Sequence, residues 1–355
     1  MTALWPSCAV SCLEHVCGSK CSFSDRSSVC SDAALSSSVS VCFGSQCGVK
    51  DALLATRLLS VSCGISERNV STTVLICCTL GCCLALAAVI LRLITRLSRQ
   101  GGGWMVDDLI TALAMVFIIP ISGVVNHSVK TGLGRDIWML EPEEITEFLK
   151  LYYFAELLYP LCLYPSKAAF LFFYLRIFWS QPFRRITYGT IVFACAAGLS
   201  STIVNIFQCR PVSYAWTGWD GEHTGHCMNM NYQAWSNAGI SIALDFWIIG
   251  LPISQIASLT WHWRRKAEAF LMFGIGLFIT IVSIIRLRYL VFYQRTVNPT
   301  WDLVPLTNWS LVEVDVGVIC ACMPALRILI TRVLPDLLTS SDSNRRPAAT
   351  GPPMP

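Results

Sequence analysis

Seven long apolar segments constrain the fold of this chain more than any other feature of its sequence. They lie at about residues 72–95, 107–126, 149–177, 187–207, 233–260, 268–291 and 309–331. Each is long enough to cross a bilayer about 30 Å thick as an α-helix, which satisfies its own backbone hydrogen bonds. With 54% hydrophobic and 14% charged residues, the composition is typical of a multi-pass membrane protein and argues against a soluble globular one.

The third segment contains charged residues in its interior. Glu156 and Lys167 are eleven residues, or three helical turns, apart, so both lie on one helix face. Isolated charges are costly in hydrocarbon, and we therefore expect this face to point into a helix bundle. Pro160 and Pro165 lie between them and each lacks a backbone donor, which predicts a kinked central helix.

Five ionisable residues are predicted to lie inside the bundle at two depths. Glu156, Arg286 and Glu313 fall toward the outer face, whereas Lys167 and Asp245 fall deeper. Because buried opposite charges tend to pair, we expect the first group to line a ligand-accessible crevice. The second group is expected to form a buried ion pair in the core of the bundle that shifts on activation. The alternative interpretation is that both layers are static structural salt bridges.

Basic residues indicate the orientation of the segments. They cluster after the first, third, fifth and seventh segments, at Arg92, Arg96, Arg99, Arg176, Arg184, Arg185, Arg264, Arg265, Lys266, Arg327 and Arg332. The positive-inside rule places these ends in the cytoplasm and the N-terminus outside the cell. Among them, Arg176, Arg184, Arg185 and the run at 264–266 would form a cytoplasmic face for a G protein, and the simpler interpretation is that they set topology and contact anionic lipid. The sequon Asn69-Val70-Ser71 then lies outside, and Asn69 is the expected glycosylation site.

The N-terminal part is rich in cysteine. Eight cysteines lie within residues 1–66, namely Cys8, Cys12, Cys17, Cys21, Cys30, Cys42, Cys47 and Cys63. About sixty residues with few large apolar groups need cross-links to fold securely, and disulfides form in oxidising compartments, so this part is predicted to be extracellular. Zinc is the rival explanation, but paired C-x-x-C units are missing. Residues 32–43 and 49–62 are predicted to form short helices.

Three further expectations concern a loop and the two ends of the chain. Cys209 and Cys227 bracket the loop after the fourth segment, which predicts an additional disulfide. The first seven residues, MTALWPS, show no secretory signal. Either the first membrane helix translocates the short N-terminal part, or an upstream exon is missing. Residues 334–355 are polar and proline-rich, which predicts a disordered cytoplasmic tail.

The N-terminal part resembles the fungal CFEM domain, an eight-cysteine extracellular module. The resemblance rests on Pro6, the motifs CAVSC, CSFSD, CSDAAL, CFGSQC and KDALLA, and Cys63. Ser28 stands where the family pattern has a cysteine, whereas Cys17 is additional. The resemblance implies that Asp25 could be an axial ligand of ferric haem, since a hard carboxylate suits Fe(III). The simpler interpretation is that Asp25 only caps a turn or helix.

Residues 67–333 resemble the fungal rhodopsin-like seven-helix family. The resemblance rests on residues 104–108 (WMVDD), Lys167 with FFYLRIF, CRPV at 209–212, Asp245 with GLP, SIIRL at 283–287 and CMPALR at 322–327. It implies an all-α fold, in which a small disulfide-rich extracellular helical module precedes a seven-helix transmembrane bundle. Because the seventh segment has no lysine to form a Schiff base, we expect no retinal.

These observations favour a receptor over other classes of protein. The resemblance implies a plasma-membrane protein of a filamentous fungus that senses an extracellular or surface cue and signals to a heterotrimeric G protein. The alternative is a haem- or iron-binding cell-surface protein that uses Asp25. A transporter would show internal repeats and interrupted helix pairs, and no enzyme motif is present. The expected partners are the lipid bilayer, an unknown extracellular ligand and a G protein, with no nucleic acid.

Overall fold

A computed structural model describes residues 5–17, 27–97, 105–256, 263–293 and 296–333. The N-terminal part is a head of four short helices: α1 (Ser7–Cys17), α2 (Ser27–Ser31), α3 (Ala33–Gln46) and α4 (Val49–Ser62). The two helices expected from sequence, at 32–43 and 49–62, correspond to α3 and α4. Asp32 caps α3, because its Oδ1 accepts a hydrogen bond from the backbone N–H of Ala34 at 2.9 Å.

In the described part of the head, three disulfides hold the helices together. Cys8–Cys47 and Cys12–Cys42 join α1 to α3 and its C-terminal end, and Cys30–Cys63 joins α2 to the end of α4. The small apolar core is formed by Trp5, Ala9, Cys12, Val29, Val39, Phe43, Ala55 and Leu59. A core of this size gives limited stability by itself, and the disulfides add to it by restricting the unfolded chain.

Several predicted residues lie outside the described part of the chain. These are the haem-ligand candidate Asp25, Cys21, the side chain of Cys17 and the tail at 334–355.

Seven long helices follow the head within the described ranges, and all are long and apolar enough to cross a membrane. They are α5 (Ser71–Leu97), α6 (Val106–Lys130), α7 (Pro142–Ile177), α8 (Gln181–Ile206), α10 (Met230–Ile256), α11 (Trp263–Tyr293) and α12 (Pro299–Val333). The predicted all-α fold with seven membrane helices and a disulfide-rich N-terminal part is therefore confirmed.

All seven membrane helices begin earlier than the apolar segments predicted, and the difference is largest for α7 and α12. Helix α7 begins at Pro142, because proline suits the first helical position and the Glu144 carboxylate accepts a hydrogen bond from the Glu141 backbone N–H at 3.0 Å. Helix α12 begins at Pro299 with a polar first turn that contains Asp302. Hydropathy does not detect polar helical turns, so the predicted starts at 149 and 309 were too late.

Helix α7 is the central helix of the bundle, packed against α6, α8 and α12. The main core joins side chains of α5, α6, α7 and α12, among them Ala85, Ile118, Leu163 and Val318. Large apolar side chains on other helix faces are more than 60% exposed, including Leu109, Val192 and Leu199. Exposed apolar surface of this extent on membrane-length helices is lipid-facing.

The loop between α8 and α10 is closed by a disulfide. Strands β1 (Cys209–Arg210) and β2 (His226–Cys227) pair antiparallel, and Cys209 is bonded to Cys227. The short helix α9 (Tyr214–Thr217) lies between them. Trp219 from this loop donates a hydrogen bond from Nε1 to Thr146 Oγ1 of α7 at 3.0 Å. The loop is thus fixed against the first turns of the central helix.

The head docks on the same end of the bundle as this loop. On α4, Arg57 pairs with Glu141 at 2.8 Å and Lys50 pairs with Glu222 at 2.7 Å. Leu53 of α4 packs against an apolar cluster formed by Ile137, Leu140 and Ile145. We call this end of the bundle the head side and the opposite end the far side.

Candidate functional site

A cavity of about 140 Å³ lies between the head-side halves of the membrane helices. This volume is roughly ten times what one water molecule needs, so the cavity has room for a small organic molecule. Its apolar wall is formed by Ile121, Val125, Phe148, Leu290, Leu306 and Leu311. Its polar wall is formed by Glu156, Asn205, Gln208, Gln233, Asn237 and Arg286. An apolar cavity with a few polar groups on one wall is the usual composition of a small-molecule site.

Amide side chains hold the polar wall in place. Asn205 donates from Nδ2 to the Glu156 backbone carbonyl at 2.8 Å and accepts a hydrogen bond from Gln233 at its Oδ1. Tyr164 donates its hydroxyl to Asn237 Oδ1 at 2.8 Å. The buried Gln233 Oε1 has no hydrogen-bond partner among the described residues. The wall therefore presents an unused acceptor.

Arg286 and Glu313 form a buried ion pair beside the cavity. Arg286 is 5% exposed and Glu313 is 1% exposed, and Arg286 Nε lies 2.8 Å from Glu313 Oε2. The guanidinium stacks over the Tyr159 ring at 4.9 Å, and the Tyr159 hydroxyl donates to Glu313 Oε2 at 2.5 Å. Neither Nε nor Nη2 of Arg286 makes a hydrogen bond in the described part of the chain, and both atoms are buried.

Lys167 and Asp245 form a second buried ion pair, farther from the head. Lys167 on α7 is 4% exposed and Asp245 on α10 is 6% exposed. Lys167 Nζ also donates to the Ser241 backbone carbonyl at 3.1 Å. The structure thus brings together the two residues that the sequence analysis paired.

Ser283 joins the two ion pairs. This bridge was not predicted from the sequence. Its hydroxyl lies 2.5 Å from Glu313 Oε1 and 3.1 Å from Asp245 Oδ2. The two predicted layers are therefore one network, because a small hydroxyl on α11 spans the gap between carboxylates on α10 and α12. We call Tyr159, Lys167, Asp245, Ser283, Arg286 and Glu313 the polar network. It connects α7, α10, α11 and α12.

The prediction that Glu156 shares an ionic layer with Arg286 and Glu313 was wrong. Among the described residues Glu156 has no cationic partner, and Gln208 Nε2 lies 3.4 Å from its Oε2. Arg286 is instead held by the Tyr159 ring and Glu313. Glu156 nevertheless lines the cavity, as expected of a crevice residue.

A second, smaller cavity of about 40 Å³ lies on the far side of the polar network. Lys167, Asp245 and Glu313 line it together with Gly276 and Gly317. Protein interiors are close-packed and contain few voids. Free space on both sides of the network gives its side chains room to rearrange.

A third ionic cluster, not predicted from the sequence, lies at the far side. Arg92 Nε lies 2.7 Å from Asp108 Oδ1 and Arg92 Nη2 lies 2.5 Å from Asp107 Oδ2. Arg96 joins at 3.2 Å from Asp108, and Arg92 also donates to the Ala321 carbonyl on α12. The arginines were attributed to topology alone, although two adjacent aspartates at the start of the next segment could have indicated the pairing.

The predicted glycosylation residue, Asn69, lies at the surface. Asn69 is exposed on the head side, where its Oδ1 accepts a hydrogen bond from the Ser71 backbone N–H at 2.9 Å. Within the described ranges, no group of three or more histidine, cysteine or acidic side chains is placed to hold a metal ion.

The disulfide-linked head, seven membrane-length helices and head-side cavity define a multi-pass membrane protein with a receptor-like architecture. The family model of the fungal rhodopsin domain matches residues 91–332, and that of the CFEM domain matches residues 1–64. The chain therefore belongs to the fungal rhodopsin family and has a CFEM domain at its N-terminus. Both resemblances are confirmed.

Several curated fungal proteins are similar to this chain. A SAT4 family membrane protein of Emericella nidulans is 31% identical over 56% of this chain and 50% of its own length. Receptor GIN3 of Arthrobotrys oligospora is 24% identical over 78% of this chain and 66% of its own length. The polyenoic acids biosynthesis gene cluster protein Ba17b of Metarhizium anisopliae is 24% identical over 70% and 71%.

The chain spans only part of the first relatives, between 35% and 60% of their lengths. No solved structure matches the chain.

Proposed function

We propose that this protein is a plasma-membrane receptor whose cavity binds a small molecule and whose far side activates a heterotrimeric G protein. The head and N-terminus are extracellular, and the far side and C-terminus face the cytoplasm. The basic residues at the ends of the odd-numbered segments support this orientation. The similarity to a protein described as Receptor GIN3 supports the receptor class.

One observation supports the proposal most strongly: a residue of the cavity wall also belongs to the polar network. Arg286 lines the cavity and pairs with Glu313. Through Ser283 that pair is connected to Asp245 and Lys167. A ligand that contacts Arg286 therefore acts on groups that hold four membrane helices together.

The proposed signal is a shift between two arrangements of this network. A ligand that hydrogen-bonds to Arg286 favours one position of the guanidinium relative to Glu313 and so changes the contact between α11 and α12. A ligand shifts such an equilibrium only by its difference in affinity for the two states. The cavities on both sides of the network provide the space for the second arrangement.

The far-side cluster supports the cytoplasmic end of the proposal. Arg92 connects α5 to the start of α6 and to the Ala321 carbonyl of α12. Helix α12 also contains Glu313 of the polar network. A displacement of α12 would therefore act on this cluster, close to the surface that a G protein would contact.

Nucleotide exchange tests the proposal directly. The full chain is reconstituted in nanodiscs with a purified heterotrimer from a filamentous fungus, and GTP-analogue binding is followed over time. We expect faster exchange than with empty nanodiscs, and a change of about fivefold or more in the Asp245→Asn variant, which is the usual size of a coupling between sites. Equal rates for loaded and empty nanodiscs would contradict G-protein activation.

Haem binding by the head is a second candidate function, supported by the match to the CFEM domain at residues 1–64. Asp25 would be the axial ligand, and its carboxylate would favour ferric over ferrous iron. The full chain is titrated with ferric haem while the Soret band is recorded. We expect a shifted band that is lost in Asp25→Ala and kept in Asp32→Ala. A band unaffected by Asp25→Ala would exclude this role.

A further inference from the structure

We propose that the head-side cavity selects neutral, oxygenated apolar molecules. In this assignment a carbonyl oxygen of the ligand accepts a hydrogen bond from Arg286, and a hydroxyl of the ligand donates one to Gln233. The inference rests on the proposed function in one respect, namely that the cavity is the ligand site.

The charged donor of the site is Arg286. Its Nε and Nη2 are both buried without a hydrogen-bond partner among the described residues, although Nε lies within ion-pair distance of Glu313 Oε2, at 2.8 Å. Burying an unsatisfied charged donor is unfavourable, and an incoming acceptor removes that penalty. The guanidinium is fixed against the Tyr159 ring, so the direction of the unused N–H groups is largely set before a ligand arrives.

The acceptor of the site is Gln233. Its Nε2 donates to Asn205 Oδ1, which fixes the orientation of the amide, and its Oε1 is buried without a partner in the described part of the chain. An amide oxygen requires a donor such as a hydroxyl or an N–H group. One ligand that offers both an acceptor and a donor would satisfy Arg286 and Gln233 together.

Charge balance favours a neutral ligand over an anion. In the polar network, Lys167 and Arg286 offset Asp245 and Glu313. Glu156 on the cavity wall is an additional acid for which the described residues provide no cation. A ligand carboxylate would add a further acid near Glu156 in a region of low dielectric constant, where like charges repel strongly.

A cationic ligand is disfavoured for a different reason. An ammonium group has three donors and no acceptor, so it leaves Arg286 Nη2 unsatisfied. Pairing with Glu156 would offset part of this cost, but the ammonium group would add a second positive charge to the cavity that already contains the guanidinium. A neutral carbonyl avoids both costs, and the apolar wall that includes Val125, Leu306 and Leu311 fits a hydrocarbon body.

Three probes with a common six-carbon chain test the selectivity: methyl 3-hydroxyhexanoate, 3-hydroxyhexanoate and hexylamine. Each is equilibrated by dialysis against the full chain in nanodiscs, and retention by empty nanodiscs is subtracted. We expect the ester to be retained about tenfold more strongly than the acid or the amine, which corresponds to one hydrogen bond with a charged group. Equal or stronger retention of the acid or the amine, or no retention of the ester, overturns the proposal.

Two variants assign the contacts, and one serves as a control. Arg286→Met and Gln233→Leu should each reduce ester retention about tenfold. Arg288→Met, at an exposed position two residues along the same helix, should leave it unchanged. Gln233→Leu removes no charge, so it decides the matter if Arg286→Met does not fold. Unchanged retention in Gln233→Leu overturns the proposal. Selective ester retention without nucleotide exchange would instead contradict the G-protein role alone.

Discussion

Replacing Asp245 by asparagine should destabilise the bundle through the lysine it leaves behind. The new amide side chain would keep nearly the same shape, but Lys167 would lose its counter-charge and keep only neutral acceptors, the amide oxygen and the Ser241 carbonyl at 3.1 Å. Lys167 is 4% exposed, so its ammonium group is largely shielded from bulk solvent. Removing one partner of a buried pair typically costs about 3–5 kcal/mol. We expect about 3 kcal/mol here, because the asparagine oxygen can still accept a hydrogen bond.

The matching change on the other side is Lys167→Met. It removes the cation and leaves Asp245 with the Ser283 hydroxyl at 3.1 Å, and it should cost about the same, roughly 3 kcal/mol. The double variant contains neither charge. It should be about as stable as one single variant, which corresponds to a coupling energy of about 3 kcal/mol.

Unfolding in mixed micelles measures these free energies. The purified chain is titrated with sodium dodecyl sulfate, and the loss of helix is followed by circular dichroism. Asp51→Asn, at an exposed position on α4, is the control and should leave the unfolding free energy within about 0.5 kcal/mol of the parent. If the losses of the two single variants simply add in the double variant, Lys167 and Asp245 do not act as a pair and the reasoning is refuted.

Two further predictions concern packing and pH. Gly81→Ala would place a Cβ in collision with Asp315 Oδ2, whereas the Cβ of Gly123→Ala meets nothing within 4 Å. In the same titration, Gly81→Ala should lower the unfolding free energy by about 1–3 kcal/mol, and Gly123→Ala should not lower it. At the head–bundle contact, the Glu222 backbone N–H and His223 hold the pKa of Asp220 below its ordinary value of 3.8. The charge of Asp220 is therefore retained as the pH falls from 7 to 5 and is lost only below 3.8. Rate-corrected amide exchange of α4 should accordingly be the same at pH 7 and 5, and a large increase at pH 5 would contradict this.

The sequence predicted those features that depend on whether a segment lies in lipid or in water. Seven apolar segments have no stable alternative to membrane helices, and a cysteine-rich segment with little core needs cross-links. Lys167 and Asp245 could be paired because neither can face lipid. Such arguments state whether a residue lies in lipid, in water or in the protein interior. That information was sufficient to predict the membrane helices, the disulfides and this ion pair.

Features that depend on local geometry could not be obtained in this way. The role of Ser283 as a bridge requires three helices at particular rotations, and one serine among many carries no distinguishing signal. Glu156 was assigned by depth to the layer of Arg286, but the aromatic ring of Tyr159 and Glu313 hold that guanidinium. Arg92 was attributed to topology, since a basic residue at a helix end has a sufficient explanation without a partner.

The orientation of the chain is the central claim, because a cavity on the head side can receive an external ligand only if the head is outside. Short epitope tags are placed at the N-terminus, at the exposed Gly221 between Cys209 and Cys227, and at the C-terminus. Antibody staining of intact and permeabilised cells then reports the side of each tag. We predict that the first two tags stain in intact cells and that the C-terminal tag stains only after permeabilisation. Staining of the N-terminal and C-terminal tags on the same side would contradict the account.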